Sequence, residues 1–284
     1  MATFVLVHGS WHGAWCWERL VPRLQAAGHT VITVDLPGYG EDHTPVRDIT
    51  LQAYANKVLA VIDTVEEPVV LAGWSMGGIV ISTVAEQRHE RIAHLVYITA
   101  FMLPHGVIPS QFVRTTREFY EASRFSLYLI AEPDKGIHRV AADGVRELFL
   151  NDADNADVAW VTERLQRDYL APLSTPVQVS GERWGSIPRT YIETLHDQSI
   201  PIAAQRRMQQ LSPGATVHSL ATGHSPLITR PDDTAELLLT ATTTSGQPVV
   251  HHDRRARHRM RGTGWADHCR GPGENYASGT VNSP

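Results

Sequence analysis

Five residues, Gly73-Trp74-Ser75-Met76-Gly77, constrain this chain more tightly than any other feature of it. They join an apolar run over 68–73, which reads as a buried strand, to an amphipathic stretch over 77–87, which reads as a helix. Gly-x-Ser-x-Gly between a strand and a helix calls for a sharp, strained turn that lifts the serine Oγ clear of a sheet edge. Glycine on both sides lets the backbone pass close by without a Cβ. A helix N-terminus behind the hydroxyl then favours developing negative charge. In the plainer alternative the serine only caps the helix. The fit of both flanking elements favours a nucleophile.

The first hundred residues keep the same alternation. Strands are expected at 3–8, 30–35 and 92–98, and helices near 17–27 and 51–65. Strands alternating with helices imply a mostly parallel sheet with helices on both faces. After Phe101 the rhythm breaks, and 104–185 reads as an inserted, mainly helical cap without buried-strand runs. Strand signals resume at 189–193 and 216–220, with a helix near 232–239. Residues 1–244 therefore form one domain, and 245–284, rich in Gly, Arg and His and without periodicity, read as a disordered tail.

A serine hydroxyl needs a base, and the base needs an orienting partner. On a strand–turn–helix elbow the chain order is nucleophile, acid, base. His224, in Gly223-His224-Ser225-Pro226, follows the last strand and is the expected base. Its alternative is a loop histidine without a partner, among 15 histidines. Asp197, just beyond the preceding strand, is the expected acid. Asp35 breaks the order, Glu193 falls inside the strand, and a loop Asp is also a common turn former. His8-Gly9-Ser10-Trp11-His12-Gly13 follows the first strand, so the backbone N–H of Ser10, with that of Met76, is expected to hold an oxyanion. His8 and His12 are read as shaping that turn.

Trp11, Trp160 and Tyr128 are the candidate substrate-binding aromatics, with packing of the cap and of the first helix as the plainer reading of the aromatic residues. Net charge is −5, so the whole molecule offers no footprint for nucleic acid. His251, His252 and the arginines beyond them read as a solvated basic tail. Two distant cysteines, Cys16 and Cys269, make neither a disulfide framework nor a metal pair, and no metal or organic cofactor is expected. The opening apolar run is too short for a signal core or a membrane span. A cytoplasmic protein without membrane or nucleic-acid partners is expected, with homodimer formation left open.

The segments FVLVHGSWHGAWCWERLVPRLQAAGHTVITVDLPGYG, LAGWSMGG, RWGSIPRTYIETLHDQSIP and ATGHSP together resemble the plant-type methylesterase and hydroxynitrile lyase family of the α/β-hydrolase superfamily. The resemblance runs over about 3–240 and is weakest in the cap. By position it implies the α/β-hydrolase fold, the triad Ser75, Asp197 and His224, and oxyanion amides at Ser10 and Met76. Lyases of that family carry Lys after the histidine and typically Thr in place of Gly9, whereas this chain has Ser225 and Gly9, which implies the esterase branch. Trp74 departs from the His that many members place before the nucleophile. The implied activity is cleavage of a small carboxylic ester, such as a methyl ester of an apolar, aromatic or natural-product acid, through an acyl-enzyme. The alternatives are a ligand receptor on the same fold with little turnover, a hydroxynitrile lyase, and a biosynthetic enzyme that opens or closes lactones.

Overall fold

Strand β1 (Thr3–Val7) runs parallel between β2 (Thr30–Val34) and β3 (Val69–Trp74), and β4 (Ile92–Ile98) lies beyond β3. This is a computed structural model, and it describes residues 1–121 and 125–243; the expected disordered tail at 245–284 lies outside the described residues. Between β2 and β4 the chain crosses the sheet through helices α2 (Leu51–Ile62) and α3 (Gly77–Gln87). Thr50 begins α2, its hydroxyl accepting the Ala53 N–H at 3.0 Å. The helix expected over 17–27 is shorter: a 3-10 turn at Ala14–Trp17 precedes α1 (Val21–Ala26). Pro22 is the reason, because proline fits only the first turn of a helix.

The inserted segment contains α4 (Pro109–Thr115), α5 (Phe125–Tyr128), α6 (Gly144–Phe149), α7 (Asn155–Thr162) and α8 (Leu170–Leu173). It also holds a three-stranded antiparallel sheet of β5 (Leu129–Glu132), β6 (Ile137–Val140) and β7 (Asp168–Tyr169). The sequence reading had no strands here, since these runs are two to four residues long and Ile130 on β5 is half exposed. The main sheet resumes with β8 (Arg189–Thr194) and β9 (Ala215–Leu220), giving the order β2-β1-β3-β4-β8-β9, all parallel. Helix α9 (Ile202–Leu211) also went unread, because it buries only Ala204, Gln205 and Met208 and presents Arg and Gln elsewhere. The chain continues through α10 (Pro226–Thr229) and α11 (Pro231–Thr243).

Alternate residues of each strand feed two cores. Val5, Val7, Leu71, Leu95, Tyr97 and Tyr191 face α2, α3 and α9. Phe4, Leu6, Ala72, Trp74, Val96 and Ile192 face Trp17, Leu24 and Leu238 on the other side. Val145, Leu148 and Phe149 of α6 belong to that second core, so the insertion is packed into the body of the protein. Each fully buried Leu, Val or Phe contributes about 1.5–3 kcal/mol. The register aligns Val34, Val7, Gly73, Tyr97, Tyr191 and Val217 in one row. The loops leaving the strands therefore emerge together at the carboxyl edge, where open parallel sheets bind ligands.

Candidate active site

Ser75 leaves β3 with φ at +55°, in the left-handed region that side chains rarely adopt. Its backbone N–H donates to the Ile98 carbonyl at 3.2 Å, and its own carbonyl accepts the Phe101 N–H at 3.1 Å. These two bonds, one from the end of β4 and one from the loop beyond it, hold the strain in place. A Cβ at Gly77 would lie 2.6 Å from the Val7 carbonyl oxygen, so the turn closes only with glycine there. The other non-glycine residues with left-handed φ among the described residues are Trp11 and Thr99, both beside the same site. Strain concentrated in this way belongs to sites that the surrounding fold over-determines.

His224 stands between the other two candidates. Its Nε2 lies 3.0 Å from Ser75 Oγ, and its Nδ1 donates to Asp197 Oδ2 at 2.7 Å. All three residues are buried. Asp197 also accepts the hydroxyls of Thr99 (2.5 Å) and Thr194 (2.9 Å) and the backbone N–H groups of Ser199 (2.7 Å) and Ile200 (2.8 Å). A carboxylate with that many donors stays an acceptor and fixes the imidazole proton on Nδ1, leaving the Nε2 lone pair toward Ser75. Glu193 is elsewhere, inside β8 and bound to Arg206. Asp35 accepts the Ala14 N–H instead.

The loops bearing His224 and Asp197 are both clasped from the insertion. Asp152 accepts the Gly223 N–H at 3.0 Å together with the Thr222 hydroxyl, and Asn151 donates to the His196 carbonyl at 2.9 Å. Trp74 lies under the His224 loop, its indole N–H donating to the His224 carbonyl at 2.8 Å. This is what the tryptophan before the nucleophile does: it anchors the backbone of the histidine. Thr99, Asn151 and Asp152 had no sequence signal, because each acts across a long separation that carries no local pattern.

The 8–13 loop lies against Ser75. At Gly9 a Cβ would come within 2.7 Å of the Ser75 Cβ. His12 Nδ1 donates to the Ser10 carbonyl and His8 Nδ1 to the Gly9 carbonyl, each at 2.8 Å, while His8 Nε2 accepts the Leu36 N–H at 3.1 Å. Burial lowers the His12 pKa to about 3 and also depresses that of His8, so both rings are neutral props for the turn. Among the described residues, the Ser10 and Met76 amides have no hydrogen-bond partner.

A cavity of about 260 Å³ opens at Ser75 and Ser10. It is small against the ~300–1,000 Å³ of drug-sized sites. Trp11, Phe101, Phe125, Leu129 and Leu173 make its walls largely apolar. Of the three candidate aromatics, only Trp11 lines it. Tyr128 packs on Gly144, while Phe125 at the start of α5 and Leu129 at the start of β5 line the cavity. Trp160 sits edge-on to Trp15 at 5.1 Å and under the Arg164 guanidinium at 4.9 Å. Among the described residues no cluster of His, Cys, Asp or Glu could hold a metal, and no helix is long and apolar enough to cross a membrane.

An all-parallel sheet with a hydrogen-bonded serine, histidine and aspartate at its carboxyl edge defines a class of hydrolase folds. The chain belongs to the alpha/beta hydrolase family, whose profile matches residues 4–237. A pyrethroid hydrolase from Sphingobium wenxiniae is 32% identical over 82% of this chain and 85% of its own. Methylesterase 8 of Arabidopsis thaliana is 31% identical over 83% and 88%. Among solved structures, polyneuridine aldehyde esterase superposes with a TM-score of 0.74 at 26% identity, covering 85% of this chain and 99% of that one.

Proposed function

We propose that this protein is a serine carboxylesterase acting on small esters with an apolar or aromatic acyl part. The observation that carries the reading is His224 bridging Ser75 and Asp197 at 3.0 and 2.7 Å beside a small, largely apolar cavity. The relatives' names, methylesterase and pyrethroid hydrolase, support ester cleavage, and the first of them favours a methyl ester.

Ser75 Oγ attacks the ester carbonyl while His224 Nε2 takes its proton, and Asp197 stabilises the resulting imidazolium. The oxyanion settles between the Ser10 and Met76 amides, each contributing about 3 kcal/mol of transition-state stabilisation. His224 returns the proton to the departing alcohol. Water, activated by the same imidazole, then releases the acid. Ser225, buried directly after His224, supplies no ammonium to receive a departing cyanide, which argues against lyase chemistry. Assay on p-nitrophenyl and methyl esters tests the reading. Ser75→Ala is expected to lower kcat about 10⁴-fold or more, and turnover that survives the substitution overturns it.

A further inference from the structure

A second histidine, outside the Ser75 relay, lines the same cavity. His138 on β6 sits beside Trp11, the two ring centroids 5.0 Å apart. The register of the small sheet sets it opposite Asp168 on β7, and its Nε2 lies 2.8 Å from Asp168 Oδ2. Both side chains are buried. Burial pushes the Asp168 carboxyl up, yet the hydrogen bond and charge interaction with His138, with further hydrogen bonds from Ser10 and Tyr39, outweigh it and hold the group below its ordinary value.

An ionised carboxylate only accepts, so the His138 proton resides on Nε2 and points to Asp168. In the neutral ring that leaves Nδ1 as an acceptor. Nδ1 is buried and has no hydrogen-bond partner among the described residues. Buried polar atoms without partners are rare and costly, and they call for a reason. The cavity that His138 lines is walled mainly by apolar side chains, Leu129, Leu170 and Leu173 among them, and no hydroxyl of its lining is hydrogen-bonded to Nδ1.

We propose that His138, oriented by Asp168, is a specificity-determining residue: its Nδ1 accepts a hydrogen bond from a hydroxyl group carried by the ester. The proposal rests on the ester-hydrolase reading above. It makes hydroxylated esters better substrates than their deoxy counterparts, because a site built around a polar partner discriminates against a ligand that leaves it unpaired.

Methyl mandelate, methyl 3-hydroxyphenylacetate and methyl 4-hydroxyphenylacetate, each compared with methyl phenylacetate, place the hydroxyl at three positions. At least one is expected to be preferred about tenfold in kcat/KM, the upper range for one neutral hydrogen bond. His138→Phe keeps the ring volume against Trp11 and is expected to bring that ratio to about one; the ratio is taken within one variant and is read independently of any change in its overall turnover. Absence of any preference in the wild type, or a preference that persists in His138→Phe, overturns the proposal. A second measurement needs neither a folded His138 variant nor turnover. Ser75→Ala protein with ¹⁵N-labelled histidine is titrated with the same esters. The His138 Nδ1 is expected to be unprotonated, and its resonance to move with a hydroxylated ester and not with methyl phenylacetate. A protonated Nδ1, or no difference between the esters, overturns the proposal. Failure of the hydrolase reading shows separately, as ester turnover that Ser75→Ala leaves intact.

Discussion

Thr99 and Asp197 are joined by a 2.5 Å hydrogen bond to Oδ2, the same carboxylate oxygen that accepts the hydrogen bond from His224 Nδ1. Thr99 itself is held at a φ of +36° by the fold around it. Its hydroxyl therefore fixes the direction from which the carboxylate meets the imidazole. Thr99→Val keeps the branched shape and removes only the donor. Because Asp197 keeps its other donors, kcat is expected to fall about three- to tenfold with KM little changed. Steady-state kinetics on a p-nitrophenyl ester checks this, and an unchanged kcat would remove Thr99 from the machinery.

Gly9 leaves no room for a Cβ beside Ser75. An added methyl group would sit 2.7 Å from the Ser75 Cβ and 3.2 Å from the Trp74 carbonyl oxygen. Neither neighbour can retreat, since both belong to the strained elbow. Gly9→Ala is expected to lower kcat/KM about 10²-fold by displacing the loop that carries the Ser10 amide. It is also expected to destabilise the protein by about 1–3 kcal/mol. Thermal unfolding beside the ester assay reads both effects.

The two tryptophans separate cleanly. Trp11→Ala opens the cavity wall and is expected to raise KM for an aromatic ester several-fold. Trp160→Ala removes the contacts with Trp15 and Arg164. It is expected to lower stability by about 1–3 kcal/mol while leaving kcat/KM within about twofold. A raised KM in Trp160→Ala would place that ring at the substrate after all.

Stability should fall on mild acidification. In the fold burial lowers His12 from 6.5 to about 3 and His94 from 6.5 to about 4, and it depresses His8 as well. Below the unfolded value of 6.5 the unfolded chain binds protons that these rings refuse. Stability is therefore full above that pH and declines below it, at a slope approaching about 1.4 kcal/mol per pH unit for each histidine. The depressed carboxyl of Asp168 adds to this only below its ordinary value of 3.8. Urea unfolding between about pH 7 and pH 5 isolates the histidine contribution. His12→Gln is expected to make the decline shallower, and an unchanged slope would falsify the assignment to His12.

Much of this architecture was readable from residue order. The strands of the main sheet announce themselves as apolar runs, and the Gly73–Gly77 turn fits only a strand–helix junction. That junction then dictated where an acid and a base had to appear, which led to Asp197 and His224, now found side by side. The supports were not readable. Thr99 meets Asp197 across 98 residues, and Asp152 meets Gly223 across 71, with no periodicity to link them. Helix α9 escaped notice because a polar sequence with three buried residues lacks an apolar stripe. Tyr128 and Trp160, candidate substrate-binding aromatics by sequence, do not line the cavity at Ser75, because helices of four and eight residues leave the direction of one ring to tertiary packing.

The clasp of Asn151 on the Asp197 loop and of Asp152 on the His224 loop, with the Gln166 N–H bonded to the Trp11 carbonyl at 2.8 Å, has a consequence for engineering. Residues 104–185 are no interchangeable module. A chimera that grafts a relative's segment there to import a new substrate range must reproduce these anchors, or the proton relay loses its alignment along with the old pocket.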